Sequence, residues 1–147
     1  MDNERFTPFV LLIEKISKNI KRIADREMEQ YGLRSSHVMC MLQLAKTEKG
    51  LSSSMLADVC GVDKAFISRI TNELLEKGYV TKEENTAKIY KTNFILTEKG
   101  KEINEKMTQI VNNYVHLVNQ NVSKADIQTF YNVLNEFDLE ISGLVNE

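Results

Sequence analysis

The residues best suited to specific chemistry lie between Leu51 and Val80. This segment has the pattern of two short helices joined by a turn at Gly61, which is the arrangement of a helix-turn-helix. In that motif the second helix lies in the major groove of DNA and presents side chains to base edges. The chemistry predicted by this segment is therefore recognition of DNA.

The second of these helices is predicted to have two faces of different character. Ile67, Ile70 and Leu74 recur at the spacing of a buried stripe. Arginine pairs bidentately with guanine and asparagine with adenine, and an alanine methyl can contact the thymine methyl. The outward set consists of Lys64, Ala65, Ser68, Arg69 and Asn72. An ordinary helical hairpin with a solvated polar face would show the same pattern, so both interpretations stay open at this point.

Two runs rich in β-branched and aromatic residues follow, Tyr79–Thr81 and Ile89–Leu96. The polar segment 82–88 between them predicts the tip of a hairpin, and a helix-turn-helix followed by such a ribbon is the winged variant. Lysines at or near the tip would reach phosphates or the minor groove, and lysine also protects an edge strand from aggregation. These lysines are Lys82, Lys88 and Lys91.

Helices on both sides of this segment must position it. The threonine and proline at positions 7–8 predict the start of a first helix, and apolar residues at helical spacing from Phe9 to Ile23 extend it to about Glu29. Gly32 is suited to its C-terminal cap. A second helix is predicted from Ser35 or Ser36.

Two further helices follow the ribbon. Residues 97–100 open a long helix, and 123–126 match a capping box at the start of the last one. The predicted fold is mostly α, with a winged helix-turn-helix core over 33–100. Long dimerisation helices are predicted over 1–31 and 101–147, within a single domain of 1–147, because their apolar stripes are too long for such a small core to cover. Swapping them across a two-fold axis would bury them in a homodimer.

Charge locates the region available to nucleic acid. A typical nucleic-acid-binding domain is strongly basic, whereas this chain has a net charge of −2. Any contact with nucleic acid must therefore be confined to a local part of the surface. Residues 101–147 carry three basic and seven acidic side chains, which places the acidity in the C-terminal third. The acidic N-terminus and the short apolar runs indicate no secretory signal and no membrane span. We therefore expect a soluble, cytoplasmic protein without a membrane partner.

The combined motif resembles a known family. The stretch LSSSMLADVCGVDKAFISRITNELLEKGYV, followed by a ribbon and LTEKG, is similar to the MarR family of winged-helix regulators. The resemblance implies a sequence-specific transcriptional regulator that binds double-stranded DNA as a homodimer at a pseudo-palindromic operator. It further implies a ligand-responsive repressor that releases DNA when a small aromatic effector binds.

Further phosphate contacts are expected at predicted helix N-termini, where backbone donors and the helix dipole favour anions. These residues are Arg34, Ser35, Ser36, Ser52 and Ser53. Two positions depart from the family pattern. Residues 84–88 lack the Asp-x-Arg often found at the wing, and lysine is a less specific substitute. Phe66 stands where the family more often has a small or hydroxyl residue, and its expected role is either packing on the wing or contact with a thymine methyl.

The resemblance also implies an effector site between the dimerisation helices and the winged domain. Its candidate lining is Ile13, Ile16, Ile20, His37 and Met41, although the same pattern is typical of ordinary core residues. His37 and Cys40 are three residues apart, and a zinc-responsive regulator of the same fold is an alternative, but this pair alone does not define a metal site.

Other classes of function have less support. Cys40 and Cys60 lie in apolar neighbourhoods, which predicts inert buried thiols. The sequence contains no phosphate-binding glycine loop, nucleophile elbow or HExxH motif, so we expect neither an enzyme nor a cofactor. A helical dimerisation module that does not bind DNA remains an alternative, but it leaves the ribbon and the polar outer face unexplained.

Overall fold

The structure is a computed structural model that describes residues 3–84 and 92–145. Within these residues six α-helices and two strands follow the predicted order. The helices are α1 Asn3–Met28, α2 Ser35–Leu44, α3 Ser53–Cys60, α4 Lys64–Glu76, α5 Glu98–Asn119 and α6 Lys124–Val145. The strands are β1 Val80–Glu84 and β2 Thr92–Leu96, and a 3-10 turn at Glu29–Tyr31 follows α1. The mostly helical winged helix-turn-helix fold is thereby confirmed.

The predicted start of α1 is wrong. The helix includes Asn3, so Pro8 lies inside it rather than at its first position. Proline has no N–H, and its place in the helix deprives the carbonyl of Glu4 of one helical hydrogen bond. That carbonyl belongs to an exposed residue in the first turn, where water can replace the missing donor. The other end agrees with the prediction, because Gly32 caps the 3-10 turn with a φ of +65°.

The chain divides into two compact units, Met1–Ile110 and Val111–Glu147. The first unit holds the hydrophobic core, to which the end of α1, α2, α3, α4, both strands and the first part of α5 contribute. Side chains from several elements are fully buried there, namely Met41, Leu44, Leu56, Ile67, Ile70, Leu74 and Met107. This core fixes α3 and α4 relative to the ribbon.

The ribbon is an antiparallel pair with a short third member. Val80 lies opposite Leu96, and the register continues to Glu84 opposite Thr92. Leu51 adds an isolated bridge, because it exchanges backbone hydrogen bonds of 3.1 and 2.9 Å with Phe94. Sequence patterning did not predict this bridge. The first strand begins one residue later than expected and extends to Glu84, into the segment expected at the tip.

The first turn of α5 packs closely against the end of α4 and the ribbon. Thr97 Oγ1 accepts a hydrogen bond from the Gly100 N–H at 3.0 Å, which confirms the predicted start of this helix. A Cβ added at Gly100 would clash with the carbonyl oxygen of Tyr79 and would lie 3.3 Å from Leu96 Cδ2. Only glycine permits this approach without movement of the neighbouring backbone.

The apolar stripes of the long helices remain uncovered in the single chain. Within α6, which the structure describes throughout, no residue is buried. Phe130 and Leu139 of this helix are 54% and 67% exposed. The stripe of α1 is also open, with Leu12 and Ile20 at 57% and 60%. Exposed apolar faces of this size are typical of an interface with another molecule.

Candidate nucleic-acid interface

Local caps set the turn between α3 and α4. Ser52 Oγ accepts a hydrogen bond from the N–H of Met55 at 3.3 Å, and Asp63 Oδ1 accepts one from the N–H of Phe66 at 2.7 Å. Gly61 ends α3 with a φ of +63°, a left-handed conformation that favours glycine. The turn at Gly61 was predicted, and α4 leaves it as the second helix of the motif.

The two faces of α4 are those that the sequence predicts. Ile67, Ile70 and Leu74 are at most 1% exposed. The buried Thr71 hydroxyl is satisfied, since it donates to the carbonyl of Ile67 at 2.9 Å. The opposite face carries the side chains predicted to contact bases, and all of them are exposed: Lys64, Ala65, Ser68, Arg69 and Asn72. This face is therefore available to DNA, and base contact by these residues stays a prediction.

The start of α2 is tied to α4 through Glu73. Glu73 Oε2 accepts a hydrogen bond from Arg34 Nη2 at 2.8 Å and lies 2.7 Å from His37 Nε2. The N–H of Arg34 donates to His37 Nδ1 at 2.9 Å. Because Nδ1 accepts this bond, the ring proton is on Nε2 and is donated to Glu73. Both ring nitrogens of a neutral His37 are thus used, and the N-terminus of α2 is fixed to the recognition helix.

Some of the residues predicted to bind phosphate already make hydrogen bonds within the chain. The N–H of Ser35 donates to Asp25 Oδ1 at 2.7 Å, and the Ser52 hydroxyl caps α3. The Arg34 side chain is still 62% exposed beside Glu73. Two further members are half-buried in the first turns of their helices, namely Ser36 and Ser53. A phosphate at the start of α2 would compete with Asp25 for Ser35 and would meet an accessible Arg34.

Among the described residues of the ribbon there is one of the lysines predicted to contact DNA. Lys82 lies on β1 opposite Phe94, and its side chain is exposed. Lys88 and Lys91, which were also predicted to contact DNA, lie outside the described residues. Of the three lysines predicted to contact DNA from the wing, Lys82 is the one that the structure describes.

A cavity of about 610 Å³ adjoins the polar cluster at the start of α2. Charged side chains of both signs line it, including Arg26, Glu29 and Lys77, and His37 reaches it as well. The other predicted effector contacts are not among its lining. Met41 is fully buried in the core, whereas three isoleucines are exposed on α1: Ile13, Ile16 and Ile20. Within the described chain, these five residues do not line one cavity.

Comparison with known proteins connects this geometry to a family. The sequence model of the MarR family matches residues 31–87, the segment from the end of the first helix to the ribbon. This match covers 57 of the 147 residues, and over that segment the chain is similar to the MarR family of transcription regulators.

Solved MarR structures share the fold along most of the chain. The MarR/EmrR family regulator from Acinetobacter sp. ADP1 has a TM-score of 0.85 at 17% identity and covers 97% of this chain and 99% of that one. The S. aureus MepR–DNA complex has a TM-score of 0.82 at 18% identity, covering 90% and 97%. A putative MarR regulator from Listeria monocytogenes, complexed with 26mer DNA, has a TM-score of 0.85 at 17% identity, covering 91% and 89%. The sequence has no significant match among curated proteins.

A reactive cysteine and a zinc site are two alternatives within the MarR fold, and both depend on residues of α2. Burial raises the pKa of the Cys40 thiol to about 12, and the neighbouring Cys60 thiol, with which it shares a hydrogen bond, adds to this effect. Burial also raises the pKa of Cys60. Zinc binding at Nδ1 of His37 would have to break its bond from Arg34, and zinc binding at Nε2 would have to break its bond to Glu73. The described residues contain no cluster of three or more side chains suited to a metal ion.

None of the helices in the described part of the chain has the length and hydrophobicity of a membrane span.

The buried histidine makes the stability of this domain depend on pH. Burial lowers the pKa of His37 below its usual 6.5, although the hydrogen bond and charge of Glu73 act in the opposite direction. The folded state therefore binds a proton less readily than the unfolded state does. It follows that the contribution of His37 to stability is complete above about pH 6.5 and is lost as the pH falls through the folded-state pKa.

We expect the free energy of unfolding to decrease as the pH is lowered from about 6.5. His37→Gln should remove this dependence, because an amide can donate to Glu73 and accept from Arg34 without titrating. His116→Gln, at an exposed histidine of α5, is the matched control and should leave the dependence unchanged. Denaturant unfolding at a series of pH values measures it. An unchanged dependence of stability on pH in His37→Gln would contradict the assignment of this dependence to His37.

Glu73 also has a lowered pKa, chiefly because of its hydrogen bond to His37, but it titrates below its usual 4.5.

Proposed function

We propose that this protein is a MarR-family homodimeric repressor that binds a pseudo-palindromic operator and responds to a small aromatic ligand. The observation that carries the proposal is the combination of two surfaces. One comprises the exposed polar face of α4 together with the exposed side chains of Arg34 and Lys82. The other comprises two separate faces, the apolar face of α1 and the apolar face of α6, each of which the described part of the chain leaves exposed. The first surface suits DNA and the second suits another copy of the chain.

The dimer follows from the cost of leaving those faces in water. Burial of apolar surface stabilises by roughly 25 cal/mol per Å², and a two-fold axis would cover the same stripe on both protomers at once. Such a dimer would place its two recognition helices on half-sites roughly 34 Å apart, one turn of DNA. The MepR and Listeria proteins, which share the fold, were crystallised with DNA, and this supports the same mode of binding here.

We expect light scattering at low micromolar concentration to give twice the chain mass of 16.9 kDa. The double variant Leu12→Asp, Ile16→Asp should reduce the mass to that of a single chain, because it places two charges in the apolar stripe. Lys15→Asp, at an exposed position of the same helix, is the control and should remain dimeric. A parent protein that is monomeric while its terminal helices are still formed would refute the dimer.

The DNA-binding and regulatory parts of the proposal need separate measurements. Selection from random duplexes followed by gel shift should yield an operator with two inverted half-sites, whereas a pure dimerisation module would select nothing. Transcription in vitro from a promoter that overlaps this operator should fall when the protein is added, and a rise would indicate an activator.

Response to a ligand is supported by the cavity beside His37. This cavity is largely open to solvent and has a volume of about 610 Å³, and its lining includes Arg34 and Glu73, which join α2 to the recognition helix. A ligand there would displace these contacts and shift α4. A panel of small phenols, added to the protein–operator complex, should contain compounds that release DNA. If none does so at millimolar concentration, the protein is not regulated by this class of ligand.

A further inference from the structure

The structure gives Phe66 a contact that sequence patterning did not predict. The guanidinium carbon of Arg69 lies 5.1 Å from the centroid of the Phe66 ring. The two residues are three positions apart on α4 and therefore share a face of the helix. Phe66 is half-buried and packs against the core, while Arg69 is exposed. The ring is thus a fixed platform beneath a side chain that otherwise has several rotatable bonds.

Arg69 is also kept apart from the acid nearest to it along the helix. Glu73 stands four residues later, the spacing at which a carboxylate pairs with an arginine on a helix surface. Its Oε2 is instead engaged by Arg34 at 2.8 Å and by His37 at 2.7 Å. Across residues 3–84 and 92–145, Arg69 makes no ion pair, so its donors remain available while its charge is held over the ring.

We propose that Phe66 is a positioning residue for base recognition, which holds the guanidinium plane of Arg69 so that its edge faces the major groove. Stacking uses the flat face of the guanidinium, whereas bidentate hydrogen bonds to guanine use its edge, so the two contacts are compatible. The ring restricts the rotamers of Arg69 before DNA arrives and so reduces the entropy lost on binding. This inference rests on the proposed function and assigns a specificity determinant within its site.

Two substitutions at Phe66 separate the ring from the bulk of the side chain. Phe66→Leu keeps an apolar side chain against the core and removes the aromatic face, whereas Phe66→Tyr keeps the face. A cation–π contact at an exposed site corresponds to roughly a 2- to 5-fold change in affinity per half-site. We expect Phe66→Leu to reduce affinity for the operator by about this factor and to change affinity for a scrambled duplex little, while Phe66→Tyr should resemble the parent.

A double-mutant cycle tests whether Phe66 acts through Arg69. Once Arg69→Ala is present, Phe66→Leu should cause no further decrease in operator affinity. Equal decreases on operator and scrambled duplexes, or decreases that add fully to those of Arg69→Ala, would show that Phe66 is only a packing residue. Such a result would overturn this inference and leave the proposed function intact. A parent protein that binds both duplexes alike would overturn the proposed function, and base recognition by Arg69 with it.

An NMR measurement on the free protein tests the contact without DNA. Protons above an aromatic ring resonate upfield, so the side-chain signals of Arg69 should be shifted upfield in the parent and in Phe66→Tyr. They should return to ordinary values in Phe66→Leu. Ordinary shifts in the parent would mean that Arg69 does not rest on the ring in solution, and the positioning role would be refuted even if Phe66→Leu failed to fold.

Discussion

Replacing Arg69 with alanine is expected to weaken binding to the operator by roughly 1–3 kcal/mol per half-site and to relax base preference there. The physical reason is that Arg69 presents a planar set of donors on the exposed face of the recognition helix, and a guanine edge offers two matching acceptors. With two half-sites per dimer, the decrease would be about 2–6 kcal/mol if the sites act independently. Titrations of operator and scrambled duplexes at several salt concentrations measure it.

Lys82→Ala is the matched control for this prediction. Lys82 is exposed on the wing strand, and its ammonium offers a point charge without a planar donor pattern. We expect this variant to bind operator and scrambled duplexes more weakly by the same factor, and to show a salt slope about one unit smaller if Lys82 neutralises one phosphate. If Arg69→Ala behaved in the same way, with equal decreases on both duplexes, Arg69 would be a phosphate-binding residue and not a specificity determinant.

The second large effect is expected at Gly100. Gly100→Ala should lower the free energy of unfolding by about 1–3 kcal/mol, because the added methyl group would clash with the Tyr79 carbonyl, and a packed backbone cannot move aside without strain. The gain in helix propensity from glycine to alanine, at most about 1 kcal/mol, opposes this effect but is smaller. Tyr79 also accepts the N–H of Thr97 through the same carbonyl, at 3.1 Å, so the clash would disturb the start of α5.

We expect Gly143→Ala to raise the free energy of unfolding, although it adds the same methyl group as Gly100→Ala. Gly143 is helical, and an added Cβ there would have no atom within 4 Å. Within the single chain only the difference in helix propensity remains, so the stability of the chain should rise by up to about 1 kcal/mol. Chemical denaturation of the two variants beside the parent makes the comparison. An increase in stability for Gly100→Ala would show that α5 and Tyr79 are farther apart in solution than in the structure.

Much of the fold was predictable because local signals fixed it. Ser52, Asp63 and Thr97 cap helices through hydrogen bonds to residues three positions away, and such pairs are visible as short motifs. The period of 3.6 residues placed Ile67 and Ile70 inside and Arg69 outside for an equally local reason. The predicted start of α1 was wrong because proline prefers the first helical position but does not require it. A helix also tolerates proline at later positions near its exposed end.

Contacts between distant residues were not predictable in this way. The pairing of Glu73 with Arg34 and His37 spans more than thirty residues, and each partner is common on any solvated helix. Likewise, nothing in the spacing of Cys40 and Cys60 shows that α2 and α3 bring their thiols together. The single bridge of Leu51 to Phe94 is too short to produce a strand pattern. These features arise from the packing of the core and not from local preference.

The lack of any buried residue in α6 has a consequence for the behaviour of the protein at low abundance. Most of the stability of a helix in a protein comes from the packing of its apolar face, so α6 gains little by forming before that face is covered. If a second chain supplies that cover, as proposed, completion of the fold becomes a bimolecular reaction. The unfolding midpoint should then rise with total chain concentration, and the slow phase of refolding should be second order. Inside a cell, newly made chains would occupy operators only above a threshold copy number, and unassembled chains would be the preferred substrates of proteases.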